Sequence, residues 1–415
     1  MRRSRVRFSS WAPQTKCLIN LFCRIELILV HMQKQALIVS YSKISSDPRV
    51  LRQINWLKAS GYEIVTVGLG ELRPNTVKVH CQIKVRSLPL RLFSYLLFNG
   101  RLRYIFLFKQ INKNTLKTID ANNDFNVVVF NDLDLLPFAH EVKQLQICSR
   151  LQTHFHLDLH EYFPDHGIGF VWQLLFKQYV FWLLTQIHPT SWDSVSTVSP
   201  SLAKLYEQSK IFDSVASILS TPKRERLPIT QCSESRINLV YHGAVDLNRG
   251  LNELVDAVQN LDNRFHLNLV LVGSARKIMK LRKRAKINSE RIHFWDPVPT
   301  EDIAKLINRF DIEVIFYIPT SLNLLHAMPN KYFEATQANL AILHGQSPSM
   351  EAMSKRFGNG ILVEDWTYNA LTDRLNNLSA DEINSLKASS LLAGEELCSE
   401  VEGYRFLELV EGSSK

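Results

Sequence analysis

The chain has 415 residues, of which 46% are hydrophobic and 21% charged, a balance that excludes a disordered protein and allows about two domains. The formal net charge is +9, but residues 1–31 hold six basic residues against one acidic residue, so the rest of the chain is only mildly basic. The six cysteines are scattered without a CxxC pair, which gives no metal signature and indicates a reducing compartment.

Residues 1–31 resemble neither a signal peptide nor a folded element. Their apolar run, residues 17–23, is cut by Arg24 and Glu26 before it reaches the length of a membrane-spanning helix, and no small-residue cleavage site follows. Met32 stands just before the first strand pattern. We therefore expect translation to start at Met32 and this basic extension to be no part of the native protein, with a membrane-touching tail as the alternative.

The first folded unit is predicted to be a strand, a helix and a second strand. Residues 35–40 form an apolar strand pattern, Pro48 opens a helix that Asp47 can cap, and residues 63–67 form the next strand. This alternation predicts a parallel sheet with helices on both faces. Ligands bind such sheets at the carboxyl ends of strands, which makes Ser46, Asp47 and Arg49 candidate site residues.

Polar residues follow two later strand patterns, residues 127–130 and 157–159. After the first come Asp132 and Asp134, which we expect to cap the next helix, because no third ligand nearby completes a metal site. After the second comes His160, which can act on a sugar hydroxyl or a charged donor. A structural role for this histidine is the alternative.

Two stretches, residues 91–109 and 168–187, are rich in aromatic side chains, and the first interleaves them with basic residues. Polar residues interrupt the second, so neither predicts a membrane-spanning helix. A basic aromatic helix can lie in a membrane surface, and ordinary core packing is the alternative for both stretches. No long basic stripe or known motif accompanies them, so we expect no nucleic-acid partner.

A polar stretch, residues 221–235, predicts the linker between two domains. The alternation then restarts with a strand at residues 238–241, followed by a loop at 242–248 and a helix from Arg249. Gly243 in that loop lets a ligand approach the backbone, and Arg249 can bind a phosphate. We also assign Pro297 and Val298, in a later loop, to the donor side of the site.

The stretch from Met328 to Thr336, followed by a strand pattern at 340–343, predicts a site at the start of a helix. Such an end presents backbone N–H groups and partial positive charge, so near Asn330 it suits a phosphate, and Lys331 adds a full charge. We expect Glu334 to be free to accept hydrogen bonds from hydroxyls such as those of a ribose. A helix with both side chains merely solvated is the alternative.

Several of these segments, in this order, resemble bacterial GT-B glycosyltransferases of the family 4 type. They are Ser46-Asp47-Pro48-Arg49-Val50, His160-Glu161-Tyr162-Phe163-Pro164, Val198-Ser199-Pro200-Ser201-Leu202-Ala203, Tyr241-His242-Gly243 with Arg249-Gly250-Leu251, and Asn330-Lys331-Tyr332-Phe333-Glu334. The resemblance implies an α/β fold of two facing Rossmann-like domains. The acceptor domain is expected at residues 32–225 and the nucleotide-sugar domain at 226–415, with the last helix packing back on the first domain.

The resemblance also implies sugar transfer with retention of anomeric configuration, without an obligatory metal or other cofactor. Arg249 and Lys331, with backbone N–H groups near Asn330, are expected to stabilise the leaving nucleoside diphosphate. Glu334 is expected to bind the ribose, and His160 to lie near the transferring sugar. Two positions depart from the family: His326 stands eight residues before Glu334, where a first glutamate is expected, and Ala244 replaces a basic residue.

We therefore expect a hexosyltransferase that acts in cell-surface polysaccharide or glycolipid synthesis. Its expected partners are a nucleotide-sugar donor, a glycan or lipid-linked acceptor, and a membrane surface on the cytoplasmic side. The alternatives are a non-catalytic binding or scaffold protein of the same fold, motivated by His326 and Ala244, and a sugar-nucleotide epimerase.

Overall fold

The computed structural model describes residues 33–84, 86–108, 111–122, 124–147, 151–165, 174, 176–187, 192–245, 250–286 and 290–412. The basic extension, residues 1–31, and the predicted phosphate-binding residue Arg249 lie outside these ranges. Within them the chain forms two parallel sheets, one after the other along the sequence.

The first sheet contains seven described strands in the order β3-β2-β1-β4-β5-β6-β7. Their bounds are β1 Gln35–Lys43, β2 Glu63–Leu69, β3 Val79–Ile83, β4 Val127–Asn131, β5 His154–Leu159, β6 Ser194–Thr197 and β7 Ala216–Ser217. The helices of this half are α1 Pro48–Ala59, α2 Leu88–Leu97, α3 Gly100–Phe108, α4 Ile111–Asp120, α5 Leu136–Ile147, α6 Lys177–Thr185 and α7 Pro200–Gln208. Strand β1 is central: Leu37 pairs with Val65 on one side and Val128 on the other.

The second sheet repeats the same arrangement with six described strands in the order β10-β9-β8-β11-β12-β13. Their bounds are β8 Ile237–Ala244, β9 Phe265–Val272, β10 Ile292–Trp295, β11 Ile312–Ile315, β12 Ala341–His344 and β13 Gly360–Leu362. The helices are α8 Leu251–Ala257, α9 Ala275–Ala285, α10 Ile303–Ile307, α11 Leu322–His326, α12 Asn330–Gln337, α13 Pro348–Phe357, α14 Tyr368–Asn376, α15 Ala380–Ala393 and α16 Ser399–Glu411.

The local signals around α1 confirm the predicted strand–helix–strand unit. The Asp47 carboxylate accepts hydrogen bonds from the backbone N–H groups of Arg49 and Val50, and Pro48 occupies the first turn. After the helix, Gly61 adopts φ +84°, a left-handed conformation that glycine adopts at little cost. The chain therefore reverses here and enters β2.

Strand β8 is longer than the sequence predicted. It runs to Ala244, so His242 and Gly243 belong to the strand and not to the loop in which they were predicted. Both residues pair in register with β9, His242 opposite Val270 and Gly243 opposite Leu271. Three polar or small residues at the end of an apolar run are typical of a loop, but the ladder to β9 continues through them.

The two sheets are linked twice by the chain. The first connection leaves β7 at Ser217 and enters β8 at Ile237, and the predicted boundary near residue 225 lies within it. The second is α16, in which Phe406 and Val410 pack into the apolar core under β1 and α1. None of the helices in the described part of the chain combines the length and hydropathy needed to cross a membrane.

Candidate active site

When the strands of each sheet are numbered separately along the chain, both sheets have the order 3-2-1-4-5-6, and the first sheet has a seventh strand at its end. In each sheet the direction in which successive strands are added reverses between strand 1 and strand 4. In open parallel sheets, ligands bind in the crevice outside the carboxyl ends of the strands at this reversal. In the second sheet the reversal lies between β8 and β11. The carboxyl end of β8 and the start of α12 meet there, so this is where the site is built.

Gly243 and Lys331 lie against each other at this point. Gly243 adopts φ +118°, and a Cβ added there would lie 3.0 Å from Cε and 3.5 Å from Nζ of Lys331. The Lys331 ammonium lies 3.3 Å from the ring centroid of the buried Tyr241. The structure thus brings together two of the residues that the sequence assigned to the donor site, and the positive φ at position 243 favours glycine.

A buried histidine joins two carboxylates, one from β11 and one from α12, beside the crevice. His242 donates from Nδ1 to Oε2 of Glu313 at 3.0 Å and from Nε2 to Oε2 of Glu334 at 2.8 Å. Burial alone lowers the pKa of this imidazole, but the charges and hydrogen bonds of Glu313 and Glu334 outweigh it and raise the pKa to about 9. His242 is therefore a buried imidazolium clamped between two carboxylates.

This clamp changes the expectation for Glu334. The sequence predicted a free carboxylate, whereas in the structure its Oε2 is taken by His242 and only 8% of the residue is exposed. Glu334 still lines the pocket between the domains, so a hydroxyl ligand would have to use its remaining acceptor capacity. The clamp fixes the orientation of the carboxylate before any ligand arrives.

The pocket has a volume of about 370 Å³ and is lined by both halves of the chain. The first domain contributes residues of α1, and the second contributes residues of the segment that starts α10, of α12 and of the start of α16, while the connection between the sheets supplies the rest. Among the lining residues are Pro48, Arg52, Trp56, Ser220, Pro222, Thr300, Asn330, Glu334, Ser399 and Glu400. It is large enough to hold part of a nucleotide. The predicted donor residue Asn330 is exposed here at the start of α12.

Arg52 was not predicted as a site residue, because only the apolar face of α1 stands out in the sequence. Its guanidinium donates to the Ser220 hydroxyl at 2.5 Å, and the negative charge of Glu334 acts on it and raises its pKa. Burial, followed by the repulsion from Arg49, lowers its pKa to about 10. Arg52 is still charged at neutral pH, so the first domain contributes a cation to the pocket.

The residues predicted on the acceptor side are already engaged within the protein. The Ser46 hydroxyl donates to the carbonyl of Lys43, and Asp47 caps α1. Arg49 is buried, forms an ion pair from Nε to Asp158 Oδ2 at 2.9 Å, and donates to Asn131. This placement favours a structural role for Arg49 as a tie between α1 and the ends of β4 and β5.

His160 lies at the seam between the domains. Its backbone N–H donates to Asp132, so Asp132 joins two strand ends and does not act as the expected helix cap. The residue is exposed to solvent, yet the protein atoms packed around the ring and, after them, the Arg49 charge lower the pKa of His160. Two residues later, the N–H of Tyr162 donates across the seam to the side chain of Asn323 at 3.0 Å.

The remaining predicted residues flank the site. Pro297 and Val298 form the loop after β10, just before Thr300 of the pocket lining. His326 ends α11, and its carbonyl accepts hydrogen bonds from the hydroxyls of Ser199 and Ser201 in the first domain. Within the described ranges, no cluster of three or more histidine, cysteine, aspartate or glutamate side chains is arranged to hold a metal ion.

These features define an α/β protein with two Rossmann-like parallel-sheet domains, which is the predicted fold class, and a crevice between them. Residues 236–381, in the second domain, match the model of a family described as Glycosyl transferases group 1. This match confirms the resemblance to group 1 glycosyltransferases. A comparison with curated protein sequences finds no match.

Solved structures with the GT-B architecture superimpose over almost the whole chain. The Anabaena protein Alr3699/HepE in complex with UDP has a TM-score of 0.66 at 10% identity, covering 90% of this chain and 98% of that one. A UDP-forming α,α-trehalose-phosphate synthase from Burkholderia vietnamiensis has a TM-score of 0.61 at 12% identity, covering 91% and 99%. A glycosyltransferase from Rickettsia africae reaches 0.62 at 12% identity, covering 92% and 100%. The predicted fold is confirmed.

Proposed function

We propose that this protein is a retaining glycosyltransferase that uses a UDP-sugar. The observation that carries the proposal is the convergence of Gly243, Lys331 and Glu334 at the start of α12, inside the segment that matches the family. Structures of similar fold hold UDP or UDP-2-fluoro glucose, which favours uridine over other bases.

In the proposed complex the diphosphate lies at the start of α12. Gly243 lets it approach the backbone, and Lys331 and the N–H groups near Asn330 neutralise its charge. The ribose hydroxyls donate to Glu334. As the bond between the anomeric carbon and the diphosphate oxygen breaks, the charge that develops on that oxygen is stabilised by the same groups. The acceptor hydroxyl oxygen forms the new bond to the anomeric carbon and passes its proton to the departing diphosphate oxygen.

The first domain supplies the acceptor side of this proposal. His160 at the seam is positioned to bind a hydroxyl of the transferring sugar, and residues 32–225 form the acceptor domain opposite the donor domain, residues 226–415. We propose a hexose as the transferred sugar, a growing polysaccharide or lipid-linked glycan as the acceptor, and the cytoplasmic side of a membrane as the location.

The proposal is tested by ligand-induced thermal stabilisation of residues 32–415 with UDP-glucose and with GDP-, ADP- and TDP-sugars. A ligand that binds only the folded state at a hundredfold excess over its Kd adds about 2.7 kcal/mol to the free energy of unfolding. We expect a shift with a UDP-sugar in the wild type and none in Glu334→Gln, a variant that keeps a side-chain oxygen for His242.

Glu351→Gln is the matched control, because Glu351 lies in α13 outside the pocket lining and its variant should keep the full shift. Product analysis then separates the activities: sugar transferred to an acceptor supports the proposal, and an altered donor without acceptor supports an epimerase. A folded protein that no nucleotide sugar stabilises is instead a non-catalytic relative, for which His326 and Ala244 would be the explanation.

A further inference from the structure

Exposed apolar side chains lie on three helices of the first domain, α2, α3 and α6, and at Leu174 just before α6; we call them the leucine face. Helix α3 contacts both α2 and α6. The most exposed members of the leucine face are Leu88, Leu96, Leu97, Leu102, Leu174 and Phe181. Leu96 is 70% exposed, Leu102 63% and Leu174 61%. Isolated exposed leucines are normal on a folded protein, but a cluster of this size on adjacent helices marks an interaction surface.

The leucine face stands on a well-packed base. Arg103 is only 1% exposed and donates to the carbonyls of Phe98 and Tyr95, which ties α2 to α3. Its guanidinium also lies 5.1 Å from the ring of Tyr179 in α6. These contacts hold the three helices together from inside, so the outward leucines do not result from loose packing.

The charges around the leucine face have one sign. Residues 86–108 contain neither aspartate nor glutamate, and three of their four arginines, Arg86, Arg91 and Arg101, are at least partly exposed, while Arg103 is buried. Residues 174–187 contain Lys177 and no acidic residue. An apolar surface whose own helical segments carry basic and no acidic residues matches the interface of an anionic bilayer.

The leucine face also lies beside the carboxyl edge of the first sheet. Tyr41, near the end of β1, packs edge-on against Phe108 of α3 with ring centroids 5.0 Å apart. The predicted acceptor-side residues and His160 follow strand ends at this same edge. A membrane that meets the leucine face is therefore next to the acceptor side of the crevice.

We propose that the leucine face docks the protein onto an anionic lipid surface, with the exposed leucines entering the acyl–headgroup boundary and the arginines contacting lipid phosphates. The inference does not depend on the proposed transfer, but it deepens it, because a docked first domain takes a lipid-linked acceptor directly from the bilayer. The helices lie on the surface, in agreement with the absence of a spanning helix among the described residues.

The test is flotation of the full chain with vesicles of phosphatidylcholine alone and of phosphatidylcholine mixed with phosphatidylglycerol. We expect binding to the mixed vesicles, weakened at high salt, because screening shortens the reach of the arginine charges from about 10 Å at 0.1 M to about 3 Å at 1 M. The double variant Leu96→Gln with Leu102→Gln should bind about tenfold more weakly or worse.

Matched controls separate this surface from general stickiness. Leu392→Gln changes a leucine that is 73% exposed on the second domain, and Lys277→Gln with Lys280→Gln removes charge from the strongly basic α9. Both controls should bind as the wild type does. Equal binding by the Leu96→Gln, Leu102→Gln variant, or absence of wild-type binding, overturns the proposal.

Two further measurements keep the outcomes distinct. Sedimentation without lipid detects self-association. If the wild type does not bind vesicles but forms a dimer that the Leu96→Gln, Leu102→Gln variant does not form, the leucine face binds a second copy of the chain, and the lipid proposal is overturned. Thermal shifts with UDP-glucose on the same variants report the donor site. A protein that binds vesicles but is not stabilised by UDP-glucose contradicts the proposed function alone. A protein that is stabilised by UDP-glucose but does not bind vesicles contradicts the lipid proposal alone.

Discussion

The buried His242 clamp makes a prediction that can be worked from its geometry. Its pKa rises from 6.5 to about 9, so the folded protein holds a proton on this ring over a range in which the unfolded chain has lost it. A tenfold change in proton affinity corresponds to about 1.36 kcal/mol, so the clamp contributes about 3 kcal/mol to the free energy of unfolding. Because the folded pKa is the raised one, this contribution is complete below pH 6.5 and is lost as the pH rises through about 9.

Replacing His242 with glutamine removes the positive charge beside Glu313, a residue that is 0% exposed and whose other oxygen lacks a hydrogen-bond partner among the described residues. Breaking a buried ion pair on one side costs about 3–5 kcal/mol. We expect urea unfolding near neutral pH to show this loss for His242→Gln. The difference in the free energy of unfolding between wild type and variant should then decrease by about 3 kcal/mol towards pH 10, where the wild-type imidazole is also neutral.

His344→Gln is the matched control, because His344 is a buried histidine at the end of β12 whose ring nitrogens are hydrogen-bonded to two neutral groups, the Gly345 carbonyl and the Ser354 hydroxyl. The difference in the free energy of unfolding between His344→Gln and the wild type should stay constant over the alkaline range. Other groups that titrate near pH 10 affect all three proteins alike and cancel in the difference. A difference for His242→Gln that is the same at neutral and alkaline pH would refute the imidazolium clamp.

Three further predictions concern stability. Burial lowers the pKa of His156 to about 4, so urea unfolding should show the wild type losing about 3 kcal/mol as the pH falls from 6.5 to 4, and His156→Gln should lack this acid dependence. Asp311→Ala leaves the fully buried Lys387 ammonium without its carboxylate and should cost about 3–5 kcal/mol; adding Lys387→Met should recover much of it, and no recovery contradicts the pairing. Gly403→Ala places a Cβ 2.5 Å from the Trp56 ring and should lower the free energy of unfolding by about 1–3 kcal/mol, an effect that a smaller side chain at Trp56 should reduce.

Local signals in the sequence were sufficient for much of the architecture. Asp47 followed by Pro48 predicted the start of α1, and the short apolar runs predicted the central strands of both sheets, because these signals act over a few residues. The strand order is visible only in the structure, since it depends on which distant strands pair.

The site was predictable only in part for the same reason. The closeness of Gly243 to Lys331 agrees with the donor assignment, but the partners of His242 lie 71 and 92 residues away in the chain, and the sequence placed this histidine in a loop. One signal was present: Glu313 is a charged residue inside the buried strand β11, and a buried carboxylate requires a partner. A ligand contact was predicted for Arg49 because its partner Asp158, 109 residues away, cannot be paired with it from local pattern.

The return of the chain to the first domain determines how the crevice can move. At Ser399 the second connection is tied to the first, because its N–H donates to the carbonyl of Pro222 at 2.7 Å, and its hydroxyl accepts from the indole of Trp56. Because two backbone segments are fastened side by side here, we expect them to act as a hinge that favours rotation of the domains over sliding. Pro222 and Ser399 also line the pocket, so a ligand bound there would lie near the hinge axis, and opening of the crevice would break the hydrogen bond between Tyr162 and Asn323.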